Sequence, residues 1–139
     1  MSEKYKTLSR RVNEECFNRG NLSVADELLA ADYVDHAAPP GLPAGVEGFK
    51  QLVAIYRTAF PDLHVTIEDQ IAEGDKLATR FTASGTHQGE LMGIAPSGKT
   101  IAVSGIAIER MVDNKIVEHW LVSDQLGMLQ QLGVIPAQG

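Results

Sequence analysis

Histidine and aspartate are the residue types in this sequence best suited to proton transfer. His119 stands between Val117 and Leu121 on one face of a predicted strand, and an unperturbed imidazole titrates at about pH 6.5. Because an apolar setting disfavours the charged form, we expect a lowered pKa that keeps His119 neutral as a general base. A histidine with a purely structural role would show the same pattern, so this alternative stays open.

Two aspartates are candidates to assist His119. Asp124 follows the same strand and could orient a histidine, act as a base or cap the next segment. Asp35 lies in a short extended piece with Tyr33 and His36. If partly desolvated, Asp35 is a second candidate base, and we expect Tyr33 and His36 to contact a substrate.

Four further side chains are predicted to bind a substrate. Arg80 is the one charge inside the strand from Leu77 to Ser84 and could anchor an anion or pair with Asp124, although alternation favours the outer face for it. Met92 lies in a Gly-rich segment, 88–99, which we interpret as a flap, and His87 directly precedes it. Trp120 offers a flat wall for a ring-shaped ligand.

The cysteine and histidine content argues against metal. The four histidines lack the close spacing of a helical ligand pair, and no carboxylate cluster accompanies them. The single cysteine, Cys16, follows Val12 at helical spacing and is expected to pack in a core. We therefore expect no metal site and no internal disulfide, which suits a reducing cytoplasm.

Length and charge exclude several classes of protein. The 139 residues fit one domain, 1–139, with its own core. The net charge is −6, and the 12 basic residues are scattered, which argues against nucleic acid and anionic membranes as partners. The apolar runs are also too short for a membrane span.

The hydrophobic periodicity predicts an α+β fold. Helical spacing covers 2–19, 23–31 and 46–60, and a short amphipathic segment closes the chain at 126–132. Alternation predicts long strands at 63–73, 76–87, 99–112 and 115–124. Three N-terminal helices on a strongly curved antiparallel sheet form a cone, and they cannot fill its concave side. We expect one pocket there for a small, largely apolar molecule.

A series of motifs resembles the SnoaL-like polyketide cyclases of the nuclear transport factor 2-like superfamily. The motifs are Phe60-Pro61-Asp62-Leu63, Glu73-Gly74-Asp75, Gly85-Thr86-His87-Gln88-Gly89, Gly93-Ile94-Ala95-Pro96-Ser97-Gly98, Lys115-Ile116-Val117-Glu118-His119-Trp120 and the closing stretch 124–133. The likeness covers nearly the whole chain. It implies the same cone-shaped fold, no metal or organic cofactor, and an intramolecular aldol that closes a ring after a proton leaves an activated carbon.

The resemblance also exposes a departure from that mechanism. The cyclases' acid/base aspartate falls at Leu121, their second polar pocket residue at Ala107, and its polar neighbour at Gly105. Asp35 falls where the cyclases carry a polar binding residue. Because leucine can neither accept nor donate a proton, His119 remains as the candidate for chemistry on that wall.

Three hypotheses for function follow. The first is a cofactor-free cyclase, isomerase or dehydratase acting on a small cyclic or polyketide-like compound, with His119 assisted by Asp35 or Asp124. The second is a non-catalytic module that binds small molecules, and the third is an epoxide hydrolase using Asp35, Arg80 and Asp124. The resemblance and the outer face of the long strands also favour self-association as a dimer or tetramer.

Overall fold

The computed structural model describes residues 2–136, which form four helices, one π-helical segment and five strands. The helices are α1 Ser2–Val12, α2 Ser23–Leu28, α3 Gly45–Ala59 and α4 Gln125–Gln131, and the π-helical segment is Asn13–Asn18. The strands are β1 Leu29–Asp35, β2 His64–Glu73, β3 Lys76–Thr86, β4 Thr100–Val112 and β5 Lys115–Ser123. The predicted α+β class is confirmed.

The sheet is mixed rather than purely antiparallel. Its strand order is β1-β5-β4-β3-β2; β1 runs parallel to β5, and the other neighbours are antiparallel. The four predicted strands pair antiparallel as expected, and the short extended piece adds a parallel strand at this edge that was not predicted to lie in the sheet. A parallel neighbour requires a long crossover, and α3, β2, β3 and β4 all lie between β1 and β5 in the chain.

The first predicted helix changes character at its C-terminal end. After Val12 the chain widens into the π-helical segment Asn13–Asn18. Arg57 of α3 donates hydrogen bonds to the carbonyl oxygens of Phe17 and Asn18, and the Asn18 side chain accepts a hydrogen bond from the Val65 amide of β2. These contacts dock the widened turn on α3 and β2.

The second helix is shorter than predicted. It ends at Leu28, and Leu29 already has extended dihedral angles. Leu29–Ala31 therefore belong to β1 rather than to the helix, and this strand is longer than the predicted extended piece. Leu29 pairs with Ile116 of β5.

The buried side chains form two clusters. The larger cluster joins α1, α2 and α3 to the end of the sheet where β3 and β5 begin. Cys16, Leu77 and Ile116 lie inside this cluster with no exposure. The second surrounds Phe60 and Leu91. Other side chains are only partly covered, those of Phe81, His119 and Leu121 on the inward face of the sheet and that of Tyr56 on α3.

Candidate active site

His119 and Asp35 form a close pair on the concave face. His119 Nδ1 lies 3.0 Å from Asp35 Oδ1, and their side chains are only 19% and 13% exposed. The two residues are register partners in the parallel pairing of β5 with β1, so the sheet itself places them side by side. Among the described residues, His119 Nε2 has no hydrogen-bond partner, which leaves it free to meet a substrate.

The pKa of His119 is raised rather than lowered. Burial acts to lower it, but the hydrogen bond to Asp35 and the negative charges of Glu109 and Asp35 together outweigh burial. The expectation of a lowered pKa was wrong because apolar neighbours within β5 say nothing about carboxylates on the two adjacent strands. The imidazole is therefore a stronger base than a free histidine and holds its proton to higher pH.

Asp35 is held as a carboxylate. Burial acts to raise its pKa, but the His119 hydrogen bond and charge, the backbone N–H of Ala37 and the charge of His36 bring it below the ordinary value. The Ala37 amide donates to Asp35 Oδ1 at 2.9 Å, a local turn that fixes the carboxylate after β1 ends. Asp35 therefore accepts the Nδ1–H of His119 and orients its ring.

A second carboxyl group, Glu109, lies beside His119 on the neighbouring strand without an ion-pair contact to it, and it was not among the predicted site residues. It pairs with His119 in the β4–β5 register and is 9% exposed. Burial raises the pKa of Glu109 and the Asp35 charge adds to this, whereas His119 and the Ser9 hydroxyl lower it. Ser9 Oγ is close enough to act on the carboxyl, yet it makes no hydrogen bond of normal geometry with a described residue.

Two tyrosines border the pair with neutral hydroxyl groups. Burial raises the pKa of Tyr33, and the charges of Asp35 and Glu109 raise it further. Burial likewise raises the pKa of Tyr56, with a smaller effect from Asp35. Tyr33 is held by an edge-on contact with Phe49, whose ring centre is 6.1 Å away. Both phenols therefore stay protonated over the range in which His119 titrates.

The wall beside His119 is apolar. Leu121 pairs with Ala107, and Gly105 pairs with Ser123, across the β4–β5 ladder. The Phe81 ring covers Gly105 so closely that a Cβ atom there would lie 2.7 Å from Phe81 Cζ. Leucine, alanine and a phenyl ring thus occupy the surface next to His119, so a ligand with apolar rings would fit it better than a charged one.

His36 and Trp120 lie on the opposite, outer face of the sheet. Their rings stack with centres 4.9 Å apart. His36 Nε2 is 2.8 Å from Glu118, whose other oxygen accepts a hydrogen bond from Arg110 at 2.6 Å. The structure therefore does not place these two predicted substrate contacts beside His119.

Arg80 and Asp124 are likewise separated from the pair. Arg80 projects from the outer face and donates two hydrogen bonds to Asp69. Asp124 caps α4 by accepting the amide of Gly127 at 2.9 Å. The arrangement of Asp35, Arg80 and Asp124 that epoxide hydrolysis would need is not formed.

The remaining two candidates belong to segment 88–99 and the residue before it. His87 is fully buried, and its Nδ1 accepts the Ser97 amide and lies 3.0 Å from Ser97 Oγ. Its Nε2 has no hydrogen-bond partner among residues 2–136. Met92 is 58% exposed with a positive φ of 45°. His87 thus anchors the segment, while Met92 faces outward.

Two surface grooves flank α1, and neither contains the His119–Asp35 pair. One is lined by Arg11, Glu27 and Lys115, the other by Arg10, Glu15 and His64, among others. Both therefore carry charged side chains of both signs.

Two classes of feature are not found in the described part of the chain. In residues 2–136, no group of three His, Cys, Asp or Glu side chains is arranged to hold a metal ion. No helix in this range combines the length and apolar character needed to cross a membrane.

Comparison with known proteins agrees with this fold. The family model for the SnoaL-like polyketide cyclase matches residues 7–132. The chain is 32% identical to nogalonic acid methyl ester cyclase of Streptomyces nogalater, over 84% of this chain and 89% of that protein. The chain belongs to the SnoaL-like polyketide cyclase family.

Solved structures of similar proteins give the same result. TsrD from Streptomyces laurentii superposes with a TM-score of 0.90 at 29% identity, covering 97% of this chain and 98% of that one. IdmH from Streptomyces antibioticus is 37% identical with a TM-score of 0.80, covering 93% and 98%. The predicted family and cone-shaped fold are thus confirmed.

Proposed function

We propose that this protein is a cofactor-free acid/base catalyst that closes a ring in a small polyketide-like compound. The observation that carries the proposal is the 3.0 Å contact between His119 Nδ1 and Asp35 Oδ1. A carboxylate that accepts Nδ1–H fixes the tautomer of the imidazole and presents Nε2 as the base. Asp124 is not part of this assignment, because its side chain caps α4.

The proposed reaction is an intramolecular aldol. In its neutral form, His119 Nε2 takes a proton from a carbon flanked by carbonyl groups. The resulting enolate carbon attacks a second carbonyl carbon of the same molecule, so that one C–C bond forms and the carbonyl π pair moves to oxygen. That alkoxide then takes the proton from Nε2. The product is an isomer of the substrate, and His119 returns to its starting state.

The walls around His119 suit such a substrate. Leu121, Ala107 and Phe81 offer apolar contacts to fused rings, while the hydroxyl of Tyr56 is neutral and can hydrogen-bond to a carbonyl oxygen. The cyclase of Streptomyces nogalater, whose name specifies nogalonic acid methyl ester, supports the same substrate class.

Incubation with nogalonic acid methyl ester tests the proposal. Chromatography should reveal a product of unchanged mass and altered retention. His119→Ala should abolish its formation while the far-UV circular dichroism spectrum is retained. His64→Ala is the matched control, because His64 is exposed at the start of β2, and it should keep full turnover. Full turnover in folded His119→Ala would refute the assignment.

A non-catalytic binding module is the second candidate. It is favoured by Leu121, Ala107 and Gly105, which leave the wall without the polar groups that the cyclases carry there. Under this alternative, polycyclic ketones raise the melting temperature in a saturable way, yet no product forms.

We also propose that the protein self-associates through the outer face of its sheet, as a dimer or tetramer. Val122, Ile106 and Ile108 are exposed there by 80%, 52% and 41%. Burying these side chains against a second copy would remove apolar surface from water.

A further inference from the structure

Glu109 is a buried carboxyl group that the proposed reaction does not use. It lies on β4 among inward-facing neighbours, Ala107 and Met111, is 9% exposed, and has the Ser9 hydroxyl and the His119 ring as the groups that lower its pKa. Burying a carboxyl group without a cation paired to it is costly. Its position next to His119 calls for a role.

The sheet places Asp35, His119 and Glu109 in a single row. Strand β5 lies between β1 and β4, and His119 is the register partner of Asp35 on one side and of Glu109 on the other. Side chains of such partners stand on the same face with Cβ atoms about 5 Å apart. The imidazole is thus bracketed by two carboxyl groups, one from each neighbouring strand.

The other inward-facing groups next to this row in the described part of the chain are uncharged, and the one further cation that acts on it is His36, whose charge lowers the pKa of Asp35 from the outer face. Tyr33 on β1 and Tyr56 on α3 are neutral phenols, and Ser9 on α1 contributes a hydroxyl group. When His119 is neutral and both carboxyl groups are ionised, two negative charges share a largely buried space. The next proton to enter therefore relieves their repulsion as well as charging the ring.

We infer that Glu109 is a positioning residue that acts through His119: together with Asp35 it brackets the imidazole and sets how tightly that ring holds a proton. The use of this arrangement in catalysis rests on the proposed function, because only a proton-transfer step at His119 depends on the basicity of that ring. The effect of Glu109 on the His119 proton does not depend on the proposed function. The three groups then titrate as one coupled unit rather than as three separate residues.

An NMR titration of the full chain with labelled histidine tests the inference. The His119 resonance is identified by its loss in His119→Ala. Glu109→Gln, which keeps the shape and removes the charge, should move the His119 midpoint to lower pH, and Glu109→Asp should restore it at least in part. The control is Glu118→Gln, because Glu118 is next to His119 in sequence but lies on the outer face with Arg110. It should leave the midpoint in place.

An unchanged midpoint in folded Glu109→Gln overturns the inference, as does an equal shift in Glu118→Gln. If Glu109→Gln does not fold, labelled carboxyl carbons in the native protein give the answer, since Glu109 and His119 must then report common titration steps. Independent curves overturn the inference. If Glu109→Gln shifts the His119 midpoint but the native protein shows no turnover, only the proposed function is refuted. If the native protein turns over substrate but the midpoint does not shift, only the role of Glu109 is refuted.

Discussion

His119 Nδ1 lies 3.0 Å from Asp35 Oδ1 because the two residues are partners in the parallel pairing of β1 with β5. The backbone reinforces this contact: the amide of His36 donates to the carbonyl oxygen of His119 at 2.8 Å. The geometry of the pair is therefore set by the sheet. No loop has to close for the two side chains to meet.

Asp35→Asn should lower turnover by about 10²-fold or more, the scale of general acid–base contributions. The amide keeps the shape of the carboxylate but removes the charge that supports the imidazolium. The change appears in kcat/KM, accompanied by a fall in the His119 pKa. Asp69→Asn, on the outer face beside Arg80, is the control. If Asp35→Asn and Asp69→Asn retain equal activity, Asp35 does not orient the base.

The free energy of unfolding should depend on pH through three groups of the site. The Asp35 contribution is complete above its ordinary pKa of 3.8 and is lost as pH falls through its lowered pKa. The His119 contribution is complete below 6.5 and is lost as pH rises through its raised pKa. Glu109, whose pKa is also raised, adds a loss that begins above 4.5.

Urea unfolding at a series of pH values measures this dependence. Asp35→Asn should reduce the fall in the free energy of unfolding at acid pH, and Glu109→Gln should reduce its fall as pH rises. If both variants and the native protein depend on pH in the same way, Asp35 and Glu109 do not cause these two changes.

Leu121→Asp should weaken the binding of polycyclic ketones. A carboxylate at this position faces Ala107 and lies beside His119, so the wall gains a charge that an apolar ring must desolvate. We expect a loss of stability of about 1–3 kcal/mol, typical of a polar group buried without full compensation. Calorimetric titration with a substituted anthraquinone measures affinity. An affinity as high as that of the native protein would show that Leu121 is not part of the binding wall.

Val122→Asp is the counterpart on the other face of the same strand. Val122 is 80% exposed, so the charge costs the isolated chain little, whereas it would be buried in the proposed interface. The oligomer should shift toward monomer in sedimentation experiments, with ligand affinity retained. An unchanged mass would place the interface elsewhere.

His87→Ala should loosen segment 88–99. The imidazole accepts the Ser97 amide inside a fully buried site, and its removal leaves that donor unpaired next to a cavity, at a cost of about 1–3 kcal/mol. Amide hydrogen exchange should accelerate at Leu91, Ile94 and Gly98, whose amides close the turns of this segment. His64→Ala, at an exposed position, should exchange like the native protein.

Local patterns predicted most of the elements, and they failed where the structure depends on distant pairing. The period-two spacing of β2 to β5 and the helical spacing of α3 were readable in the sequence. Leu29–Ala31, by contrast, continue a helical pattern but lie in β1, where Leu29 pairs with Ile116 of β5, more than eighty residues later in the chain. Short apolar runs do not distinguish helix from strand, so tertiary pairing decides.

The candidate site could be predicted from the sequence only in part, because it also depends on distant strand pairing. Asp35 and His119 were recognisable as candidates, but their contact required the parallel register. Glu109 had a usable signal: it shares the inward parity of Val103, Ala107 and Met111, and a lone carboxyl group on that face is unusual. Trp120 was predicted to contact a ligand because its ring is large and flat. Its position next to His119 in the alternation of β5 instead puts its side chain on the outer face.

Asp35 and His36 are consecutive residues that serve opposite faces of the sheet, one with His119 and the other with Glu118 and Trp120. The end of β1 is thus held by side-chain contacts on both faces of the sheet. A change that moves the backbone at His36, made for crystallisation or for fusion to another protein, would therefore also move the carboxylate inside. Surface engineering of this protein should therefore leave that corner intact and use the β2 edge instead.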